Sequence, residues 1–507
     1  MATNLSRRHL LGGAAAAGLA AVATPAFAVC SKTPDHWDET VDFLVIGTGF
    51  AGLGAALEAH QIGIEKVLVV DKMPTPGGNS IINGGAVAAA GTDMQKKAGI
   101  EDSPDLLFKD IQKAGGGIAH PDLARHIADE SVENFYWLRD KIGVKFEAVT
   151  YHGGHSVKRS HAVTSHRGDG FILPMLDKCK EYGIPVRLRT YVSELIEDEK
   201  GAVIGVKVRE GYRFGREGSG KEKTIRSLKG VLLASGGFAQ NVKMRMSHDP
   251  RLTAAFTSTN HPGATGEMIQ DAQFLGANTV HMDWIQLGPW TSPDENGFGL
   301  CPLITESSVG YGPMVDPATG KRFIMETGNR KVRADAIVAI GHPVVMYTCE
   351  KNVMKQVVNV NMTPKMFEAV QKSGVVRKFA TLKELADFYK IPYDALKAEN
   401  DKFNGYMKTL KDPDFNCKLF KDGVPNEEGP FYGWRLWPRV HHCMGGLEIN
   451  NKAQVLDARG NVIPGLYAAG EATGGVHGMV RLGTVAVADC IIFGRTAART
   501  AKAYTPA

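Results

Sequence analysis

The sequence predicts an α/β protein in which a mostly parallel sheet is split, along the chain, by an inserted α+β cap. Three observations carry this. The apolar runs Phe43–Ile46 and Val67–Val70 flank a glycine-rich turn and a helical stretch. A further apolar run at 230–235 ends on Gly236-Gly237, and another at 461–469 runs into Gly470. Continuous apolar runs of this length fit strands covered on both faces, as in parallel sheets, better than the alternation of a half-exposed sheet. Between the last two runs, residues 283–440 change character, with many of the Pro, Trp and Tyr residues, long loops, and helical spacing at Leu382–Tyr389 and 393–408. The expected organisation is therefore a ligand-binding domain at 38–282, completed by 441–507, with a capping domain at 283–440.

The first element is a leader. Ser6-Arg7-Arg8-His9-Leu10-Leu11 precedes a small-residue apolar stretch, and Ala26-Phe27-Ala28 has the form of a cleavage site. This is the pattern of a twin-arginine export signal over residues 1–28, which predicts a periplasmic protein exported already folded. The stretch at 10–23 is too short and too rich in Ala and Gly to span a membrane. Val29 before Cys30 does not favour a lipid anchor.

The turn Gly47-Thr48-Gly49-Phe50-Ala51-Gly52 comes next. In such a turn Gly47 permits the tight reversal, Gly49 lets backbone approach a pyrophosphate, and Gly52 lets helix pack on strand, so phosphates meet a helix N-terminus. Asp71 ends the second run, 19 residues beyond Gly52. A carboxylate there accepts hydrogen bonds from ribose hydroxyls and repels a 2'-phosphate, which favours FAD or NAD over NADP in a Rossmann-like domain. Helical spacing at 122–141 and strand-like pieces within 186–208 follow, and glycine pairs recur beside apolar runs, as expected where backbone lies close to an extended ligand.

Composition narrows the function. Apolar residues make up 43% and charged ones 22%, ordinary globular proportions, and the net charge of +5, two units of it in the leader, points to neither nucleic acid nor membrane. The seven cysteines form no C-x-x-C and no C-x-x-C-H, so neither a zinc knuckle nor a covalent haem is expected, and no metal ligand set is assigned. An odd count leaves at least one thiol unpaired within the chain, and connectivity is not deducible.

Several segments resemble the flavoprotein subunit of the fumarate reductase and succinate dehydrogenase group, above all its soluble periplasmic flavocytochrome c fumarate reductases and urocanate reductases. They are Gly77-Gly78-Asn79-Ser80, 156–161 (SVKRSH), 258–266 (STNHPGATG), His441-His442-Cys443-Met444-Gly445-Gly446, and 470–478 (GEATGGVHG). The likeness runs from about 42 to 498. It implies FAD, held by Gly47, Gly49, Phe50, Ala51, Gly52, Asp71 and Lys72 at the turn, and by Gly78, Asn79, Ser80, Gly84 and Gly85 near the ring. Val192, Ser235, Gly236, Asn260 and Gly266 continue the site, and Glu471, Arg481, Gly483 and Val485 close it. No histidine lies in 79–83, where membrane-bound relatives tether the cofactor, so noncovalent FAD is implied.

The resemblance also implies reduction of an activated alkene, which needs a hydride donor, a group that withdraws charge, and an acid. Flavin N5 is the donor. His442 and Arg481 match the clamp on one substrate carboxylate, Arg330 matches the acid, Glu306 the relay, and Thr305 a residue near the second carboxylate. Guanidinium is an unusual acid, but the carbon left after hydride attack is basic enough to take its proton. The departures matter too. Where relatives specific for fumarate keep a histidine in Gln-x-His-Pro, this chain reads Gln286-Leu287-Gly288-Pro289-Trp290, and the relay arginine corresponds to Val309, leaving Arg333, Tyr311 or water. The family's Arg-Leu-Gly-Gly-Asn becomes Arg481-Leu482-Gly483-Thr484-Val485. One clamp kept and the other eroded, with Gly288 and Trp290 expected at the far end, point to a 2-enoate such as a methacrylate-, cinnamate- or urocanate-like acid. Fumarate reduction, succinate-type oxidation, a steroid dehydrogenase and a bare flavin electron carrier are the alternatives. Without a haem motif, electrons are expected from a separate cytochrome c or a quinol-linked chain.

Overall fold

The computed structural model describes residues 33–505 except Gly153 and residues 360–363. The leader at 1–28 and Cys30 lie outside the described residues. A six-stranded sheet forms the centre, in the order Gln454–Leu456, Val462–Ala468, Val231–Leu233, Phe43–Ile46, Val67–Val70, Val186–Arg187. All neighbours run parallel except the first pair. Phe43–Ile46 and Val67–Val70 are buried at every position, as their unbroken apolar character requires. The C-terminal strand 462–468 sits beside 231–233, so the sheet is completed only after the chain has built the cap.

Helix Phe50–Gln61 leaves the glycine turn and packs against the last helix, Val485–Ala503. A Cβ at Gly494 would lie 2.2 Å from the Ala51 carbonyl, so the two helices touch backbone to backbone. Buried Arg495 pairs with Glu58 and with Glu133, tying the last helix to the first and to Pro121–Tyr136. The helix expected at 122–141 thus exists, with its final turn, Trp137–Ile142, widened to a π-helix. The strands expected within 186–208 are Val186–Arg187, Thr190–Glu197 and Val203–Glu210.

The cap holds an antiparallel five-stranded sheet in the order Lys321–Arg322, Met314–Asp316, Val344–Cys349, Phe431–Leu436, Arg377–Phe379. Val344–Cys349 is buried throughout because both faces are covered: Val344 and Met346 join a cluster with Trp434 and Ile337, while Val345, Tyr347 and Cys349 join one with Phe431 and Leu385. Arg322 is wholly enclosed and bridges Glu326 and Asp412, both at 2.7 Å, so one guanidinium is shared by these two acids beside Cys417 and ties the segments that carry them together.

The cap joins the rest through two antiparallel strands, Ile285–Gly288 and Arg439–Cys443. Their register slips: Gln286 faces His442, but Leu287 faces Val440, which leaves His441 as an extra, unpaired residue. Such a bulge bends a strand and re-aims one side chain. Cys179, Cys301, Cys349, Cys417, Cys443 and Cys490 are free thiols. Among the described residues, no helix is long and apolar enough to cross a membrane.

Candidate active site

One cavity of about 820 Å³ runs from the glycine turn to the cap. At the turn, Gly47 has φ +115°, and a Cβ there would fall 2.2 Å from the Ala234 carbonyl; one at Gly52 would fall 1.9 Å from the Gly47 carbonyl. The helix therefore starts hard against the strand. The Phe50 N–H donates to Ser80 Oγ at 3.0 Å, and the Thr48 N–H to Asp71 Oδ2 at 3.0 Å. Asp71 Oδ2 also accepts from the Thr48 hydroxyl at 2.5 Å, while Oδ1 accepts from the Met73 N–H at 2.8 Å and can still accept a second bond from a ribose hydroxyl.

Gly47, Gly49, Phe50, Ala51, Asp71 and Lys72 line this end, with Lys72 Nζ paired to Glu267 at 2.7 Å. Gly78, Asn79, Ser80 and Gly84 line the same cavity, as do Val192, Ser235 and Gly236. Asn79 spans the floor, donating to Asn260 Oδ1 at 2.6 Å and to Glu471 Oε2 at 3.3 Å. Ser235 Oγ is buried with no partner. A glycine-built cradle and an unpartnered hydroxyl are what an extended, oxygen-rich cofactor such as FAD would satisfy.

Five expected cofactor positions lie behind the wall instead. Gly52 and Gly85 allow backbone to close against Gly47 and Arg167, and Gly266 sits under Phe238. The Gly483 carbonyl accepts from His155 Nε2 at 2.7 Å, and Val485 is the buried first residue of the last helix. On the wall, Thr484 stands in Val485's stead.

At the cap end the histidine that meets Arg481 is His441, not His442. Arg481 Nη2 donates to His441 Nε2 at 3.3 Å; because arginine only donates, the proton sits on Nδ1, which donates to Thr259 Oγ1 at 2.8 Å. His441 also abuts Trp290 edge-on, with ring centres 4.7 Å apart, and Phe298. Burial, with Arg481 and Arg330 nearby, holds it well below the usual imidazole range, so it is neutral. His442, one residue on, turns its Nδ1 to Glu471 Oε1 at 3.3 Å and packs on His477. Both line the cavity, but the bulge gives the Arg481 contact to His441.

Two further expectations are corrected. Gly288 does not line the cavity, since a Cβ there would lie 2.4 Å from Trp290 Cζ3: the indole lies across the space that a side chain at 288 would fill. Thr305 is fully buried, and its hydroxyl accepts from Trp434 Nε1 at 3.0 Å rather than facing a ligand. Trp290 lines the cavity wall.

Arg330 opens helix Arg330–Ile340, whose cap is Asn329, and lies over the Trp290 ring at 5.6 Å. Its Nη1 is buried without a partner, and burial lowers its pKa. Arg333, one turn along the same face, pairs through Nη2 with Glu306 Oε1 at 2.7 Å. Two guanidiniums at the positive end of a helix are an unfavourable grouping unless an anion joins them. Arg481, which burial and Arg330 push down to about 9, adds a third. Unpartnered nitrogens remain on all three: Arg330 Nη1, Arg333 Nη1 and Arg481 Nε. Tyr311 instead donates to Asp422 at 3.0 Å, so of the groups considered for Val309's lost partner it is Arg333 that touches Glu306. His152 and Phe298 line this end as well and carry no sequence signal beyond residue type.

A family described as FAD binding domain matches residues 42–487. The chain is 42% identical over 503 residues to the acrylate reductase flavoprotein subunit of Shewanella woodyi, covering 98% of both chains. It is 34% identical to the urocanate reductase of Eggerthella lenta, covering 93% of this chain and 76% of that one. A solved flavocytochrome c3 fumarate reductase in an open conformation superposes with a TM-score of 0.76 at 31% identity, covering 92% of this chain and 78% of that one. These relatives and the cradle agree on FAD as the cofactor, and the chain belongs to the FAD-binding flavoprotein family of the fumarate, urocanate and acrylate reductases.

Proposed function

We propose that this protein reduces the C=C bond of a small 2-enoate carrying a single carboxylate, with acrylate as the type. The observation that carries the choice is the Trp290 indole, which covers the place where a second anion-binding side chain would project from position 288. With Phe298 beside it, the far end of the cavity is aromatic. A second carboxylate there would be desolvated without a partner. The 42% identity to an acrylate reductase subunit supports the same reading.

Bound FAD supplies the hydride. Arg481, braced by His441, grips the carboxylate and so fixes the plane of the alkene and stabilises charge that develops as the β-carbon is reduced. Arg330 gives its proton to the α-carbon, and its enclosure, which lowers the guanidinium pKa, makes it a better acid. Glu306 restores that proton, drawing on Arg333 in place of the relay arginine lost at Val309. The product is the saturated acid. FAD is held noncovalently, electrons come from a separate cytochrome c or quinol-linked donor, and the leader at 1–28 supports export to the periplasm.

The test is a substrate panel with dithionite-reduced methyl viologen as donor. Acrylate and methacrylate should be turned over, with fumarate, cinnamate and urocanate at least about 100-fold poorer in kcat/KM, the scale set by an unpaired polar group or a clash in a fitted site. Preference for fumarate or urocanate overturns the reading.

A further inference from the structure

His152 has no part in the roles assigned above. It stands on the cavity wall between the strands Phe146–Thr150 and Ser160–Val163. Its Cβ lies 3.0 Å from where a Cβ at Gly483 would be, so it packs on the segment that carries Arg481. The charges acting on its ring are those of Arg330, Glu306 and Arg481, two from the cap and one from the FAD-binding part, which places the imidazole where the acid, the relay and the clamp converge.

Its hydrogen-bonding state is unlike that of its neighbours. His155 donates to the Gly483 carbonyl at 2.7 Å, and His161 contacts Thr92 Oγ1 at 2.8 Å and the Arg159 carbonyl at 3.0 Å. His152 Nδ1, by contrast, is buried with no partner. A buried polar atom left unpaired is costly, and one aimed into a cavity calls for a ligand. Burial and the two guanidiniums push its pKa down to about 4, so at neutral pH the ring offers one N–H and no charge. Meanwhile both nitrogens of His441 are spent, on Thr259 and on Arg481. The clamp therefore has a guanidinium but lacks a second donor.

We propose that His152 supplies it: the imidazole N–H of His152 donates to the carboxylate of the bound 2-enoate, beside Arg481. A neutral donor adds no like charge to a site already holding three guanidiniums, and its bond tightens as negative charge spreads onto the carboxylate during reduction. The inference rests on the 2-enoate reading.

The experiment uses FAD-loaded protein, with propanoate as the binding probe, followed through the flavin absorbance change, and acrylate as substrate. A hydrogen bond to a charged group corresponds to roughly 10- to 150-fold. His152→Met should retain FAD and weaken propanoate binding and acrylate kcat/KM by about that factor, while His152→Gln, which keeps an N–H, should stay within about fivefold of the native protein. Native-like binding and turnover by His152→Met, or equal damage in both variants with FAD retained, overturns the proposal. Should His152→Met lose FAD, His152→Ala assayed at saturating FAD decides: millimolar imidazole should restore acrylate turnover, and no restoration overturns it. If the native protein itself reduces no 2-enoate, it is the parent reading that has failed.

Discussion

A histidine at position 288 would restore a second anion-binding side chain, and the structure says that it fails alone and succeeds only with Trp290 removed. A Cβ at 288 would sit 2.4, 2.6 and 3.0 Å from Trp290 Cζ3, Cη2 and Cε3. Ordinary carbon contacts are ~3.5–4.0 Å, so the indole would have to retreat by roughly 1 Å for a methyl group alone. It has little room: His441 lies edge-on at 4.7 Å, Phe298 at 5.7 Å, and the Arg330 guanidinium over the ring at 5.6 Å. Gly288→Ala should therefore cost about 1–3 kcal/mol of stability, the range for overpacking. By pushing the indole onto Arg330 it should also lower acrylate kcat/KM by up to about 100-fold, as 1 Å of misplacement does. Gly288→His should be worse. In the double variant Gly288→His/Trp290→Ala the imidazole takes the vacated space, so the two changes should be non-additive by about 0.5–3 kcal/mol. The fumarate-to-acrylate ratio of kcat/KM should rise by roughly two orders of magnitude, as expected when an unpaired carboxylate gains a partner. Urea unfolding of the native protein, Gly288→Ala, Gly288→His, Trp290→Ala and the double variant, with dye-linked turnover of both acids, measures this. A native-like Gly288→Ala, or an unchanged acid ratio in the double variant, refutes the reasoning.

Three other outcomes follow from the same geometry. Arg330→Gln should keep FAD and lose about 10²- to 10⁴-fold in alkene reduction, the range for a missing general acid; a retained rate moves the acid elsewhere. Arg333→Met leaves Glu306 without its 2.7 Å partner, so kcat should fall more than KM changes, with a larger solvent isotope effect; unaltered kcat removes Arg333 from the proton route. Asp271 offers a pH test, because burial and then Glu267 raise its pKa from 3.8 to about 7. The folded state then holds a proton that the unfolded chain has released between those values, so this group's charge opposes folding increasingly from pH 4 to pH 8. Asp271→Asn should thus match the native Tm near pH 4 and exceed it by a margin that grows toward pH 8; a constant margin contradicts the shift.

The glycine turn, Asp71 and the split sheet were legible in the sequence because each depends on local geometry that few residue types satisfy: no Cβ fits at Gly47 or Gly52, and only unbroken apolar runs fill a sheet covered on both faces. The clamp was legible only to within one residue. Adjacent histidines on a strand point to opposite sides, and which one reaches Arg481 is decided by the bulge opposite Gln286 and Leu287, a pairing between segments about 150 residues apart that no local pattern encodes. Position 288 shows the same limit from the other direction. A glycine in place of an expected histidine reads as a lost contact and an open space, yet the space is filled by the indole of Trp290, in the turn that follows the strand's last residue, Gly288. Thr305 kept its identity and lost its exposure, because Trp434 in the neighbouring strand of the cap claims its hydroxyl. In each case the residue type was read correctly and the partner was not. Specificity in this site is therefore set by which side chains compete for the cavity rather than by the inventory of residues near it. A single indole, by covering position 288 and backing both His441 and Arg330, ties the size of the acceptor to the placement of the acid. Substitutions that enlarge the cavity at Trp290 should on this logic always slow proton delivery as well.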